Sequence, residues 1–476
     1  MFFFFDDQNN TVSNMAFGTF VISVLRDYLN DQGKQIQVGS NIDYYDALLP
    51  DGIDEISGPV CLEIKNGFSN KSAYFRSIEN YARRLDEDEE VALLLILGDE
   101  FTDNSKNSMI QLAQSKSKRQ VFVWDITDFN KRTFKYQQNY NDYLERPTKT
   151  IVEEVINKPT SEDQFRSSKE ALISELKRKY QSEELALFLG AGVSSDAGVP
   201  QWNELVNSLL SEMILRRAKG QPDTLLSEHL NEIISLAYKN KEDSPITQMR
   251  YIRGAFSTSE YYNLVHDVLY KNNPKTNTEL LNVIARMCTP RRNHIGVQGV
   301  VTYNFDDLLE RRLKRQNVPT NIISSEDDIT DSGKLSIFHV HGFLPHRAND
   351  INSNVELIFS EEDYHRVYRD AYCWSNLAQL NFLRERTCLF IGCSLTDPNL
   401  RRLLDVATRN NEKPRHYAFL RRNHHFSTKG IDIDALNAYK SIDMNLREKY
   451  YSTMGLNIIW IEKYDEIPQI LKSFLT

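Results

Sequence analysis

Three observations predict an α/β architecture in two domains. The chain has 476 residues, well beyond the roughly 100–200 of one ordinary domain. Short apolar runs of strand type recur along it between helical stretches, the pattern of sheets covered by helices. One of these runs, Leu185-Ala186-Leu187-Phe188-Leu189, passes directly into the glycine turn Gly190-Ala191-Gly192-Val193-Ser194, with a helix expected after it.

Composition narrows the functional classes. Hydrophobic content of 41% beside 26% charged residues is that of a soluble globular protein. A net charge of −9 gives no global basic character, so nucleic acid could be met only through a local basic groove. The five cysteines (Cys61, Cys288, Cys373, Cys388 and Cys393) form no C-x-x-C pair. That argues against a disulfide scaffold and a structural zinc site, and for reduced thiols in a cytoplasmic protein. The apolar start Met1-Phe2-Phe3-Phe4-Phe5 is too short for a secretion signal, and no run approaches the roughly 20 apolar residues of a membrane span.

Residues 1–146 read as a small α/β domain. A helix is expected over Ala16–Leu29 and a strand over Ile42–Leu49, ending at the turn Pro50-Asp51-Gly52. A second strand follows over Pro59–Ile64, an amphipathic helix over Ser72–Leu85, and an acidic loop over Asp86–Glu90. Strands are expected again over Val91–Leu97 and Gln120–Asp125. Residues 147–164 form a linker marked by Pro147 and Pro159. Residues 165–476 form the second domain, opening with a charged helix over Phe165–Lys179. The glycine-poor stretch at about 203–290 reads as a helical insertion. Strands resume at Gly299–Tyr303, Leu335–Val340, Val355–Phe359, Thr387–Ile391, Tyr417–Leu420 and Leu456–Ile461.

The chemistry-bearing residues of the second domain sit at strand ends. A glycine turn lets backbone N–H groups approach a phosphate closely, at the positive end of the following helix; doubly wound sheets receive dinucleotides this way. Three further strands end in polar residues: Val300-Val301-Thr302-Tyr303-Asn304-Phe305-Asp306-Asp307, Phe338-His339-Val340-His341-Gly342, and Phe390-Ile391-Gly392-Cys393-Ser394-Leu395-Thr396-Asp397. A positioned amide such as Asn304 can orient water or ribose hydroxyls, and a near-neutral histidine can take a proton. His339, two residues before His341 on one strand, should face the same way and is a rival base. Asp306 reads as an orienting group for Asn304 or a helix cap, Asp307 as a cap, and Trp202 as core.

In these four motifs and their order the chain resembles the sirtuin superfamily, over about Phe165 to Thr476. The resemblance implies a Rossmann-like parallel sheet with NAD+ as ligand. Gly190, Ala191, Gly192 and Ser194 would cradle its phosphates and adjacent ribose. Asn304 and Asp306 would line the nicotinamide side, and His341 would be the general base. Gly392 and Ser394 would form a further ribose- and phosphate-contacting turn, with Asp397 in the same cofactor-binding set. The four zinc-binding cysteines of a sirtuin deacylase are absent, and Pro200-Gln201-Trp202 stands where deacylases carry a different stretch. These departures are similar to the bacterial defence-associated sirtuins, which hydrolyse NAD+. That resemblance implies an anti-phage role, a homo-oligomer and a HerA-like hexameric ATPase partner.

The first domain resembles the PD-(D/E)xK restriction-endonuclease fold over about Met15 to Phe129. Asp46 ends one strand, and Glu63 and Lys65 alternate on the next, so the latter two face one way. By resemblance Asp46 and Glu63 would bind Mg2+, with Lys65 assisting DNA cleavage; Asp43 could replace Asp46. An inactive copy used for assembly or DNA docking is the competing reading. The leading expectation for the chain is an NAD+ glycohydrolase. The alternatives are a metal-dependent nuclease whose sirtuin-like domain senses NAD+ or ADP-ribose, a pure binding module, and, more distantly, a protein deacylase.

Overall fold

The computed structural model describes residues 10–38, 45–66, 91–115, 120–137, 140, 162–217, 245–292, 294–331, 333–347, 356–408, 414–422 and 433–475. The phenylalanine run, Asp43, the helix expected over Ser72–Leu85, the acidic loop after it and residues 147–161 of the expected linker lie outside them; residues 162–164, expected as linker, are the start of a helix. The chain divides into two compact units. One comprises residues 1–168, 408–413 and 427–453, the other residues 169–407, 414–426 and 454–476.

The first unit contains α1 (Asn10–Asn30), β1 (Ala47–Leu49), β2 (Val60–Lys65), β3 (Ala92–Leu97), α2 (Asp103–Gln114), β4 (Val121–Trp124) and α3 (Ile126–Gln137). Its sheet has the order β1-β2-β3-β4, with β1 antiparallel to β2 and the other pairs parallel. Every residue of β2 and β3 is buried. Phe17, Val21 and Leu25 of α1 and Phe129 of α3 pack on one side, Met109 and Ala113 of α2 on the other. Cover on both faces is why β3 reads as an unbroken apolar run rather than an alternation.

From residue 162 the chain runs through α4 (Glu162–Gln181), β5 (Leu185–Leu189), α5 (Gly192–Ser195), α6 (Trp202–Arg217), α7 (Pro245–Gly254), α8 (Thr258–Tyr270) and α9 (Glu279–Cys288). Then come β6 (Val300–Thr302), α10 (Leu308–Arg315), β7 (Thr320–Ile323), β8 (Leu335–His339), α11 (Glu361–Arg369), α12 (Trp374–Glu385) and β9 (Thr387–Ile391). Last are α13 (Pro398–Thr408), β10 (His416–Arg421), α14 (Ile433–Thr453), β11 (Leu456–Ile461) and α15 (Glu466–Lys472).

The seven strands β5 to β11 form one sheet, parallel throughout, in the order β11-β10-β9-β5-β6-β8-β7. From β5 the chain adds β6, β7 and β8 on one side, β8 entering between β6 and β7, then crosses back and builds outward through β9, β10 and β11 on the other. β5 therefore marks the place where strand order reverses, the position at which open parallel sheets receive ligands beyond the carboxyl ends of their strands.

Three local expectations are corrected. The helix after the glycine turn is a single turn, α5, ended by Gly198 at φ +97°. A helix this short adds little dipole, and the N–H groups of Gly190, Gly192, Val193 and Ser194 in and after the turn already donate to backbone carbonyls. Residues 356–359 form no ladder strand; Ile358 donates one hydrogen bond to the His341 carbonyl at 2.8 Å before Ser360 starts α11. β7 was not anticipated, because Thr320-Asn321-Ile322-Ile323 is too short and too polar to stand out.

Glycine is required where the turns after β5 and β9 meet. Gly190 N–H donates to the Ile391 carbonyl and Gly192 N–H to the Gly392 carbonyl, both at 3.0 Å. Gly392 has φ +69°, and a Cβ there would stand 2.6 Å from the Val193 nitrogen. Gly392→Ala should therefore destabilise the protein by more than about 1 kcal/mol. Gly18→Ala, on α1 with open space around it, should be neutral or stabilising by up to about 1 kcal/mol. Calorimetric melting of both variants checks the contrast.

Candidate active site

β6 ends at Thr302, whose Oγ1 accepts the Asn304 N–H at 3.1 Å. Tyr303 N–H donates to the Leu189 carbonyl at 2.9 Å, which carries the chain across the end of β5. The Asn304 side chain thereby reaches α5, where its Nδ2 donates to Ser194 Oγ at 3.1 Å. Ser194 is hydrogen-bonded in turn to the Asp306 carboxylate. A hydroxyl that accepts from an amide can still donate, so its proton goes to Asp306. Asp306 Oδ1 also accepts the Leu308 N–H at 3.1 Å. The relay orients the Asn304 amide and leaves its Oδ1 buried, with no hydrogen-bond partner among the described residues.

Asp306 is buried, and burial is the main reason its carboxyl is pushed up to about 6; Ser194 and the Leu308 N–H hold it down in part. Asp307 was expected to cap α10. It occupies the N-cap position, but its side chain makes no cap bond. It accepts instead from His346 N–H at 3.0 Å and from the Tyr270 hydroxyl at 3.3 Å. The Asx-type bond to Leu308 comes from Asp306.

β8 stops at His339, and Gly342, at φ +105°, turns the chain immediately afterwards. His339 and His341 therefore lose the two-residue alternation of a strand and reach different partners, contrary to the expectation that they face the same way. His341 Nε2 lies 3.5 Å from Asp397 Oδ2. Its ring stands edge-on to Tyr303 and Tyr364, with centroids 5.0 and 5.9 Å away. Burial lowers the imidazole's affinity for a proton, and Asp397 only partly opposes this, so the ring is neutral near neutral pH. The Tyr364 hydroxyl donates to the same Asp397 oxygen at 2.5 Å, and Leu400 N–H donates to the other at 2.7 Å. Burial and then Asp397 raise the Tyr364 phenol, which stays a donor.

His339, the rival base, is fully buried and engaged at both ring nitrogens, so it cannot take up a proton from a ligand. Ser394 is exposed beside Gly392, its Oγ 2.6 Å from Thr396 Oγ1. Trp202 packs on Phe359 and the core, ring centroids 4.5 Å apart. Sequence reasoning missed the roles of Tyr364 and Glu310. Both lie on helices, and only the fold brings them to the strand ends.

In the first unit Asp46 stands one residue before β1, not at a strand's end, because the short ladder with β2 begins only at Ala47. Asp46 Oδ2 accepts the Ile64 N–H at 2.7 Å. Glu63 and Lys65 are buried on β2, with Lys65 Nζ 2.5 Å from Glu63 Oε1. Asp46 thus meets the backbone of β2 while Glu63 and Lys65 pair with each other, and no group of three His, Cys, Asp or Glu side chains able to hold a metal occurs among the described residues. No helix among those residues is long and apolar enough to cross a membrane.

The raised Asp306 sets a pH signature. A carboxyl held at about 6, above its unfolded value, contributes stability below pH ~4 that is lost as pH rises through the folded value. Asp306→Asn removes that charge and should raise stability at pH ~8 by roughly 2 kcal/mol, with little effect at pH ~4. Denaturant unfolding at both pH values checks it; equal shifts would contradict a charge effect.

A family model described as SIR2-like domain matches residues 298–444, which include the Asn304, His341 and Gly392 turns. Among curated proteins the chain is similar to an NAD(+) hydrolase ThsA of Enterococcus faecium, 24% identical over 64% of this chain and 58% of that protein. It is likewise similar to Defense-associated sirtuin 2 of Bacillus subtilis, 24% identical over 62% of this chain and 28% of the other. An NAD(+) hydrolase ThsA of Bacillus cereus (strain MSX-D12) is 22% identical over 64% and 56%. The chain thus spans at most 58% of the length of these relatives. The seven-stranded parallel sheet fits a sirtuin-like, Rossmann-like fold in the region matched.

Proposed function

We propose that the carboxyl-edge site hydrolyses the glycosidic bond of NAD+ to nicotinamide and ADP-ribose, and that this depletes the dinucleotide in anti-phage defence. The observation that carries the reading is the Oδ1 of Asn304, buried and without a hydrogen-bond partner among the described residues. It is an acceptor held in fixed orientation at the place where a parallel sheet receives ligands, in a fold whose relatives include NAD(+) hydrolases.

The chemistry follows from the residues. As the C1′–N bond breaks, its electron pair leaves with nicotinamide, which becomes neutral, and positive character builds at C1′. Asn304 Oδ1 accepts a hydrogen bond from the attacking water or a ribose hydroxyl. His341, neutral and oriented by Asp397, accepts the proton released when water adds. The glycine turn with Gly190, Ala191, Gly192 and Ser194 takes the pyrophosphate, and the turn with Gly392 and Ser394 takes a ribose. A homo-oligomer, a HerA-like ATPase partner and a cytoplasmic setting belong to the same proposal, since an enzyme that empties NAD+ must be held off until needed. Incubation with NAD+, with and without such an ATPase, should yield nicotinamide and ADP-ribose by chromatography. Asn304→Ala and His341→Ala should each lower the rate by about 10²–10⁴-fold. Binding of NAD+ without turnover in every state would favour a sensing module instead.

A second reading concerns the first unit. Asp46, bonded to the backbone of β2 at Ile64, and the paired Glu63 and Lys65 on that strand favour a Mg2+-dependent DNA nuclease. Cleavage of supercoiled DNA should then require Mg2+, vanish in Glu63→Ala and survive in His341→Ala. Absence of cleavage by wild type with Mg2+, alone and with the ATPase, would leave this unit a docking or assembly module.

A further inference from the structure

His339 is completely buried, and both of its ring nitrogens face acceptors. Nδ1 lies 3.1 Å from the Asn304 carbonyl oxygen and Nε2 2.8 Å from Glu310 Oε1. A neutral imidazole offers one N–H donor, and two acceptors require two. We propose that His339 is a doubly protonated clamp, a positioning residue that fixes the Asn304 peptide, and that Glu310 serves to keep its second proton in place. The effect on turnover rests on the hydrolase reading above; the charge of the clamp does not.

The geometry explains why a clamp would matter at this peptide. Asn304 N–H is held by Thr302 Oγ1, and its side-chain Nδ2 by Ser194. With the carbonyl held by His339, every polar group of Asn304 is anchored except the Oδ1 aimed at chemistry. Misplacement of such an atom by 1 Å can lower a rate by about 10²-fold. Apart from the Asn304 carbonyl, the groups facing His339 are Glu310 on α10, Asp306 in the turn before it and the Phe343 ring, whose centroid is 4.4 Å away. Glu310 also faces the buried thiol of Cys288 on α9, which burial and then this carboxylate hold protonated. Burial works against the charged imidazole, but Glu310, the Asn304 carbonyl and Asp306 outweigh it, and the proton is held more tightly than in a free histidine.

Two histidines two positions apart thus take opposite states, one retaining a proton and one surrendering it. The clamp is complete below the raised value of His339 and is lost as pH rises through it. The base function of His341 is lost as pH falls through its lowered value. Glu310→Gln keeps an acceptor but removes the charge, so His339 should lose its proton at lower pH. The alkaline limb of kcat should move down by about one pH unit or more, with the acid limb unmoved and KM changed by less than about two-fold.

The test combines that pH–rate profile with nitrogen NMR of histidine-labelled full-length protein, the His339 signal being identified by its absence in His339→Gln. Two protonated nitrogens on His339 near neutral pH support the clamp, and a neutral ring overturns it. The wild-type spectrum decides this even if Glu310→Gln does not fold. If wild type cleaves NAD+ and the alkaline limbs of wild type and Glu310→Gln coincide, the positioning role is overturned. If wild type cleaves no NAD+ in any state, the hydrolase reading fails, and the NMR result still decides the charge of His339.

Discussion

The contact between two glycine turns, backbone against backbone, is the constraint on which the candidate site depends. Gly190 donates to the last residue of β9 and Gly192 to the turn after it, and Gly392 returns so close that a single methyl group would collide with the Val193 nitrogen. Because no side chain separates the turns, the carboxyl ends of β5 and β9 converge. The one-turn helix α5 is then set where Ser194 can receive Asn304. From there the order propagates outward: Asn304 is fixed through Ser194, Ser194 through Asp306, and Asp306 through the start of α10.

Environment, not residue type, assigns the roles in this network. Asp306 is buried among few donors and holds its proton up to about 6. Asp397 instead gathers a backbone N–H, the Tyr364 hydroxyl and the His341 ring. His341 is pushed toward neutrality by burial, whereas His339 is buried against a carboxylate that more than compensates. Paired groups whose surroundings drive their proton affinities apart are what acid–base chemistry near neutral pH requires. The side chain that orients His341 comes from the turn before α13, and Tyr364 comes from α11. That helix is itself anchored, since Asp363 caps its start and pairs with Arg253 of α7. Residues far apart in the chain thereby bear on one imidazole.

Much of this was legible in the sequence, for a physical reason. Strands of a sheet covered on both faces are mostly apolar, so β5 and β9 appear at their observed boundaries, and β3 and β10 nearly so. Polar residues are rare inside such strands, so those that end the apolar runs mark the carboxyl edge. Asn304, His341 and Gly392 could therefore be named from the chain alone. Short or half-polar elements carry no such signal: β7 does not stand out, residues 356–359 read as a strand, and nothing in the pattern shows that α5 is a single turn.

Local patterning along the chain thus determined which segments are strands and which polar residues stand at their ends. It could not determine which of those residues meet, because that follows from strand order and from where each strand stops. The end of β8 at His339 and the positive φ of Gly342 send two neighbouring histidines to different partners. A period-two reading would have kept them together. Only the tertiary structure brought Glu310, Tyr364 and Asp397 to them, because these lie on helices and turns whose placement is decided by packing against the finished sheet.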